Sequence, residues 1–101
     1  MIDKTQERIS NCHYLNTSDL VMKVSIVFDG DNRTVGSFAE PRMQINGMDA
    51  EKIQFSGSGL IYLEHDGNSK FTKEYLIHPD DVYLFRCTDK IIEWNESYIK
   101  H

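Results

Sequence analysis

Alternating apolar and polar residues dominate the chain between Leu20 and Trp94. The clearest run is "LVMKVSIVF", and the apolar set on one of its faces is Met22, Val24, Ile26 and Phe28. A period of two residues places successive side chains on opposite faces of a β-strand. We therefore interpret this run as a strand with one buried face.

Later runs repeat the same pattern. Their apolar pairs are Met43 and Ile45, Ile53 and Phe55, Leu60 and Tyr62, Tyr75 and Ile77, Val82 and Leu84, and Ile92 and Trp94. Turn signals such as "DGDN", "ING" and "HDGN" separate these runs at intervals of about ten residues, as in antiparallel all-β domains. The pattern predicts an all-β fold, an antiparallel sandwich or barrel of about seven to eight short strands.

The N-terminal segment "DKTQERIS" differs from the rest of the chain. It has the polar composition and spacing of a short helix, with Asp3 or Thr5 as its N-cap. The alternative fold class is therefore a β-rich α+β domain with one short N-terminal helix.

Length and composition predict one ordered domain over residues 1–101. A chain of 101 residues supports a single core, and 40% hydrophobic with 27% charged residues is typical of a globular protein. The sequence contains no apolar run of the ~20 residues that span a bilayer, and its first twenty residues lack the apolar run of a secretory signal. We expect a cytoplasmic protein that does not bind membranes, with Cys12 and Cys87 as free thiols.

The net charge of the chain limits the classes of molecule that it is expected to bind. A formal net charge of −5 and a pI near 5.2 argue against direct binding of nucleic acid, which requires a basic surface. An acidic surface favours solubility or a basic protein partner.

The loop that begins at Asp29 resembles a calcium-binding loop only in part. Asp29, Asp31 and Glu40 occupy its first, third and twelfth positions. However, Arg33 occupies the fifth position, where an EF-hand has an oxygen ligand, and Thr34 replaces the glycine at the sixth. We interpret the loop as a hairpin turn and expect no bound metal.

Other chemical motifs are weak. No Cys or His pair has the short spacing of a zinc site, and the neighbours Cys12 and His13 point to opposite faces of an extended chain. The pair Asp80 and Asp81 offers two carboxylates for acid–base chemistry, but an acidic protein contains such pairs without any catalytic role. We expect no cofactor and no enzymatic activity.

A surface for a basic partner is the better-supported site. Six acids and two bases lie between Glu74 and Glu96. We expect acids at strand ends and turns there, one acid that alternates outward from a strand, and two aromatic anchors; a second patch is expected at hairpin tips. The candidate partner-binding residues are Asp80, Asp81, Asp89, Glu93, Tyr83 and Phe85, with Asp29, Asp31 and Asp66 at the hairpin tips.

These observations favour a small acidic interaction protein that binds and inhibits or neutralises a basic, nucleic-acid-handling protein. Immunity proteins, antitoxins and phage-encoded inhibitors have this composition, and the analogy rests on composition alone. Two alternatives stay open: a structural or assembly subunit that self-associates, for example as a homodimer, and a small-ligand-binding β-barrel.

Overall fold

The structure, a computed structural model, describes residues 1–30, 41–52 and 57–100. These residues form two antiparallel sheets that enclose one hydrophobic core. The elements are β1 (Ile2–Asp3), β2 (His13–Leu15), β3 (Val21–Asp29), β4 (Arg42–Ile45), β5 (Met48–Asp49), a 3-10 turn (Ala50–Lys52), β6 (Gly59–His65), β7 (Lys70–Ile77), β8 (Val82–Arg86) and β9 (Lys90–Ile99). The predicted all-β antiparallel fold is confirmed, and the two sheets do not close into a barrel within the described part of the chain. The predicted pair Ile53 and Phe55 lies outside the described residues.

The larger sheet has the order β1-β9-β3-β7-β6, and the smaller sheet has the order β2-β8-β4-β5. β3 lies at the centre of the larger sheet, between β9 and β7. Its alternation is strict, since the four residues Met22, Val24, Ile26 and Phe28 are all buried and the residues between them are half-exposed. The inward face predicted for this strand is therefore confirmed.

Aromatic rings connect the two sheets through the core. Phe85 of β8 lies 5.9 Å from Phe28 of β3 and 6.2 Å from Trp94 of β9, measured between ring centroids. Contacts of this kind add about 0.5–1.5 kcal/mol per pair beyond the burial of area. Tyr75 and Tyr83 are also fully buried, so the core is built largely from aromatic side chains of both sheets.

A β-bulge interrupts the pairing of β3 with β9. The register shifts between Val27 and Phe28, so that Phe28 lies opposite Ile91 while Val27 lies opposite Glu93. Ile91, rather than the expected Ile92, therefore pairs with Phe28 and packs against the core. Such bulges insert one extra residue and strengthen the local twist of the sheet.

The predicted N-terminal helix is wrong. Ile2–Asp3 forms a strand on β9, Lys4 N donates to Trp94 O (2.6 Å), and Trp94 N donates to Thr5 Oγ1 (3.1 Å). The segment makes one turn, closed by the bond from Arg8 N to Lys4 O (2.9 Å). Pairing with β9 satisfies the backbone groups here, and this tertiary contact overrides the local helical preference.

Candidate interaction surface

The acids predicted to form one patch lie at opposite ends of the sandwich. Asp80 and Asp81 follow the C-terminus of β7, at the end that we call the β7–β8 end. Asp89 follows β8, which carries the chain to the other end, where Asp66 lies in the β6–β7 turn. An eight-residue strand such as β7 is about 25 Å long. The expectation of one acidic patch between residues 74 and 96 is therefore wrong, and Asp89 is also only 9% exposed.

Asp81 is a structural residue at the β7–β8 end. Its carboxylate accepts hydrogen bonds from Asn46 Nδ2 (2.9 Å), His78 N (3.0 Å) and Ser58 Oγ (3.4 Å). These donors come from three separate loops, so the carboxylate holds the loops together. Its neighbour Asp80 is exposed and has a left-handed backbone (φ 68°). Of the two, Asp80 is the acid that a partner can reach.

Tyr83 and Phe85 cannot serve as the predicted aromatic anchors, because both side chains are fully buried. The run "VYLF" in β8 is apolar on both faces, so alternation alone does not decide which pair points inward. In the structure, the rings of Tyr83 and Phe85 point into the core. Val82, expected to share the buried face with Leu84, is half-exposed.

Asp29 lies at the end of β3, among bases. Its Cα partners are Lys70 of β7 and Lys90 of β9, and its Oδ1 accepts a hydrogen bond from Ser69 Oγ (2.9 Å). The rest of the loop considered for calcium, including Asp31, lies outside the described residues. The described part of this tip is therefore not a purely acidic patch.

Asp66 is exposed and caps the β6–β7 turn. Its Oδ1 accepts hydrogen bonds from Asn68 N (2.8 Å) and Lys70 N (3.3 Å), and Gly67 between them has φ 83°, which suits glycine. The turn borders an open depression of about 650 Å³. The residues that line it are Gly30, His65, Gly67, Asn68, Ser69 and Phe71.

Glu93 points outward from β9, as its alternation with Trp94 predicts, and its role in partner binding stays a prediction. Its side chain is exposed and lies opposite Val27, on the side of the larger sheet away from the smaller sheet. We call this side the outer face. The register and alternation of the strands place on it the acids Asp3, Asp29, Glu64, Glu74 and Glu93 and the bases Lys23, Lys70 and Lys90.

The charged side chains of the outer face differ in whether they have an ion-pair or hydrogen-bond partner. Lys23 Nζ lies 3.9 Å from Glu74 Oε2, which is a partly exposed ion pair. The Tyr62 hydroxyl donates a hydrogen bond to Glu64, and this bond raises the pKa of the tyrosine. Among the described residues, no ion pair involves Glu93. Among the described residues, the outer face therefore has a net negative charge, and Glu93 on it is exposed without an ion pair.

A buried carboxylate, which the sequence analysis missed, joins the N-terminal segment to both sheets. Glu96 is 1% exposed and accepts hydrogen bonds from the Tyr83 hydroxyl and from Arg8 Nε (3.1 Å). Burial of the Arg8 guanidinium lowers its pKa, but the hydrogen bonding and charge of Glu96 and Tyr83 raise it, so the net pKa is raised. Arg8 also lies 4.4 Å from the centre of the Tyr14 ring. Glu96 is two residues after Trp94, and this spacing was the available signal that both face inward.

A second buried polar cluster surrounds Lys73 of β7, whose side chain is 6% exposed. Its Nζ donates to Pro41 O (2.7 Å) and lies 3.3 Å from Glu51 Oε1, which also accepts the Tyr75 hydroxyl (2.5 Å). Burial raises the pKa of Glu51, although the Tyr75 hydrogen bond opposes it. Glu51 Oε2 is buried without a hydrogen-bond partner among the described residues. The cluster fastens the 3-10 turn of the smaller sheet to β7.

Within residues 1–30, 41–52 and 57–100, no three His, Cys, Asp or Glu side chains are arranged to hold a metal ion. The same residues contain no helix with the length and apolar character to span a bilayer.

No family model matches the sequence, and comparisons with curated proteins and with solved structures yield no match.

Proposed function

We propose that this chain is a small acidic interaction protein that binds and neutralises a basic, nucleic-acid-handling protein through the outer face of its larger sheet. The observation that carries the proposal is the exposed carboxylate of Glu93 on a face where, among the described residues, five acids oppose three bases. A net charge of −5 for the whole chain gives the same sign to its long-range field.

The outer face offers chemistry that a basic groove binds. Carboxylates on neighbouring strands accept hydrogen bonds from Arg and Lys, as nucleic-acid phosphates do. The half-exposed residues between them, Ser25, Thr72 and Asn95, are small and polar, so that a partner can approach closely. Complementary charge of this kind mainly accelerates association and selects the partner.

The partner is a protein and not a nucleic acid, since phosphates would be repelled by the acids of this face. The location is cytoplasmic, where the thiols of Cys12 and Cys87 would stay reduced.

A charge-reversal experiment tests the proposal against a panel of purified basic nucleases and nucleic-acid-binding proteins. We expect wild-type protein to bind and inhibit at least one of them, and we expect Glu93→Lys to slow association several-fold at low salt. The matched control is Asp19→Lys, which changes the charge equally at the β7–β8 end, where Asp19 is exposed.

Two results would overturn the proposal. If the protein binds no basic protein of the panel, the proposed function is wrong. Slower association in the control variant, with normal association in the outer-face variant, would move the site to the β7–β8 end.

A further inference from the structure

The edge strands of the two sheets differ greatly in length. β1, β2 and β5 contain two or three residues each, whereas β6 contains seven and forms an edge of the larger sheet. Proteins protect edge strands by shortening them or by adding Lys or Pro, because a free edge pairs with other chains. β6 contains neither Lys nor Pro, and its β-bulge lies between Leu60 and Tyr62, so that the pairing from Tyr62 to His65 is regular. In the part of the chain that the structure describes, only β7 pairs with β6, so the other edge of β6 is free.

This free edge is also apolar. Ile61, Tyr62 and Leu63 are consecutive residues with 48%, 42% and 54% of their surface exposed. A single exposed apolar side chain is ordinary, but three in a row on a long free edge indicate an association surface.

The register of β6 against β7 assigns its side chains to faces. Tyr62 lies opposite Glu74 on the outer face, and Glu64 lies on the same face, where it accepts the hydrogen bond from the Tyr62 hydroxyl. Leu63 lies opposite the buried Lys73 and therefore points to the inner side. Glu64 is the only Asp, Glu, Lys or Arg residue of the strand.

The sequence of β6 is complementary to itself in one antiparallel register. A twofold axis perpendicular to the sheet keeps outer residues opposite outer residues. An axis through Glu64 would place two carboxylates opposite each other, which is unfavourable, and an axis through Tyr62 would place Glu64 opposite Leu60. An axis through Leu63 places each Glu64 opposite the Tyr62 hydroxyl of the second copy and brings the two Leu63 side chains together.

We propose that β6 pairs antiparallel with β6 of a second copy of this chain, with Leu63 at the twofold axis. The two larger sheets then form one continuous sheet, and both outer faces lie on the same side of it. The dimer thus presents two copies of Glu93 to one side. This self-association goes beyond the proposed function and does not depend on it.

Light scattering on the full chain tests the dimer. We expect a mass of twice 11.8 kDa for the wild type and a monomer for Leu63→Lys, because that variant places two ammonium groups at the axis. The matched control is Leu15→Lys on β2, which is 52% exposed at an edge of the smaller sheet and should leave the dimer intact. A wild type that is monomeric at every soluble concentration would overturn the proposal, as would dissociation by Leu15→Lys alone.

Cysteine cross-linking tests the register independently. Opposed residues of antiparallel strands have Cα atoms about 4.5–5.5 Å apart, within the range that a disulfide bridges. In a Cys12→Ser background, Leu63→Cys should form a covalent dimer in oxidised glutathione that dithiothreitol reverses, whereas Leu15→Cys should stay monomeric. Cys87 is 5% exposed and can stay in both variants. Equal cross-linking of the two variants, or none in either, would exclude Leu63 from a twofold axis.

Discussion

The hydroxyl of Tyr83 on β8 donates a hydrogen bond to the buried carboxylate of Glu96 on β9, and so joins the smaller sheet to the larger one. Trp94 Nε1 donates to the same hydroxyl oxygen (3.3 Å), and Arg8 supplies the charge that balances Glu96. A carboxylate with 1% exposure depends on such donors, because burial removes its hydration. The N-terminal segment is therefore part of the folded domain.

Replacing Arg8 tests this dependence. Arg8→Met should lower the free energy of unfolding by about 3 kcal/mol, because it leaves the charge of Glu96 buried without its cation. Urea denaturation monitored by Trp94 fluorescence measures the change.

Lys4 provides the matched control for Arg8. Its ion pair with Glu7 (3.4 Å) involves a glutamate side chain that is 62% exposed, and exposed pairs contribute about 0–1 kcal/mol. Lys4→Met should therefore change the free energy of unfolding by less than about 1 kcal/mol. Equal losses in the two variants would show that the buried pair is not the source of the effect.

The aromatic residues of β8 and β6 should respond oppositely to truncation. Phe85→Ala should cost about 3–5 kcal/mol of unfolding free energy, because Phe85 is fully buried and touches both sheets through Phe28 and Trp94. Tyr62→Ala, at 42% exposure, should cost less than about 1 kcal/mol in the monomeric Leu63→Lys background. Similar costs at the two positions would contradict the inward orientation of Phe85.

Local pattern predicted β3 but not the orientation of β8. In β3 every second residue is apolar and the others include Lys23 and Ser25, so only one face can be buried. In β8 both faces are apolar, and the choice depends on which face fills the core between the sheets. That choice, which buried Tyr83 and Phe85, depends on tertiary packing and has no signal within the strand.

The burial of the ionisable residues Lys73 and Glu96 could be predicted only in part from the sequence. Lys73 lies between Phe71 and Tyr75 in the inward series of β7, and Glu96 follows Trp94 by two residues in β9. Their positions in the alternation of each strand predict that the side chains are buried, whereas their charge predicts that they are exposed. The partners that resolve this conflict are distant in sequence: 88 residues separate Arg8 from Glu96, and 22 residues separate Glu51 from Lys73. A single sequence does not reveal such pairs.

Asp80 and Asp81, although adjacent, should differ in their effect on stability. Asp81→Ala should lower the free energy of unfolding by about 1–3 kcal/mol, because it removes the acceptor for Asn46, His78 and Ser58. Asp80→Asn keeps a residue that tolerates φ 68° and should be nearly neutral. Thermal unfolding of both variants measures the difference, and equal stability would remove Asp81 from its structural role.

The stability of the fold should depend on pH through the carboxyl group of Glu51. Burial raises the pKa of this carboxyl, although the Tyr75 hydroxyl and Lys73 oppose the shift. A group whose pKa is higher in the folded state contributes stability below its unfolded pKa, about 4.3 for glutamate, and loses that contribution as the pH rises through its folded pKa. The wild type should therefore lose stability relative to Glu51→Gln as the pH rises from about 4 toward 7. Urea denaturation of both proteins across this range gives the difference in unfolding free energy at each pH.

Tyr75→Phe separates the proposed cause from other titrations. It removes the hydroxyl whose hydrogen bond lowers the pKa of Glu51, so the pKa should rise further. The loss of stability relative to Glu51→Gln should then extend to higher pH than in the wild type. Adding Glu51→Gln to Tyr75→Phe should abolish the additional pH dependence, because the titrating group is gone. If the difference between wild type and Glu51→Gln were constant over the whole range, burial would not raise the pKa of Glu51 on folding.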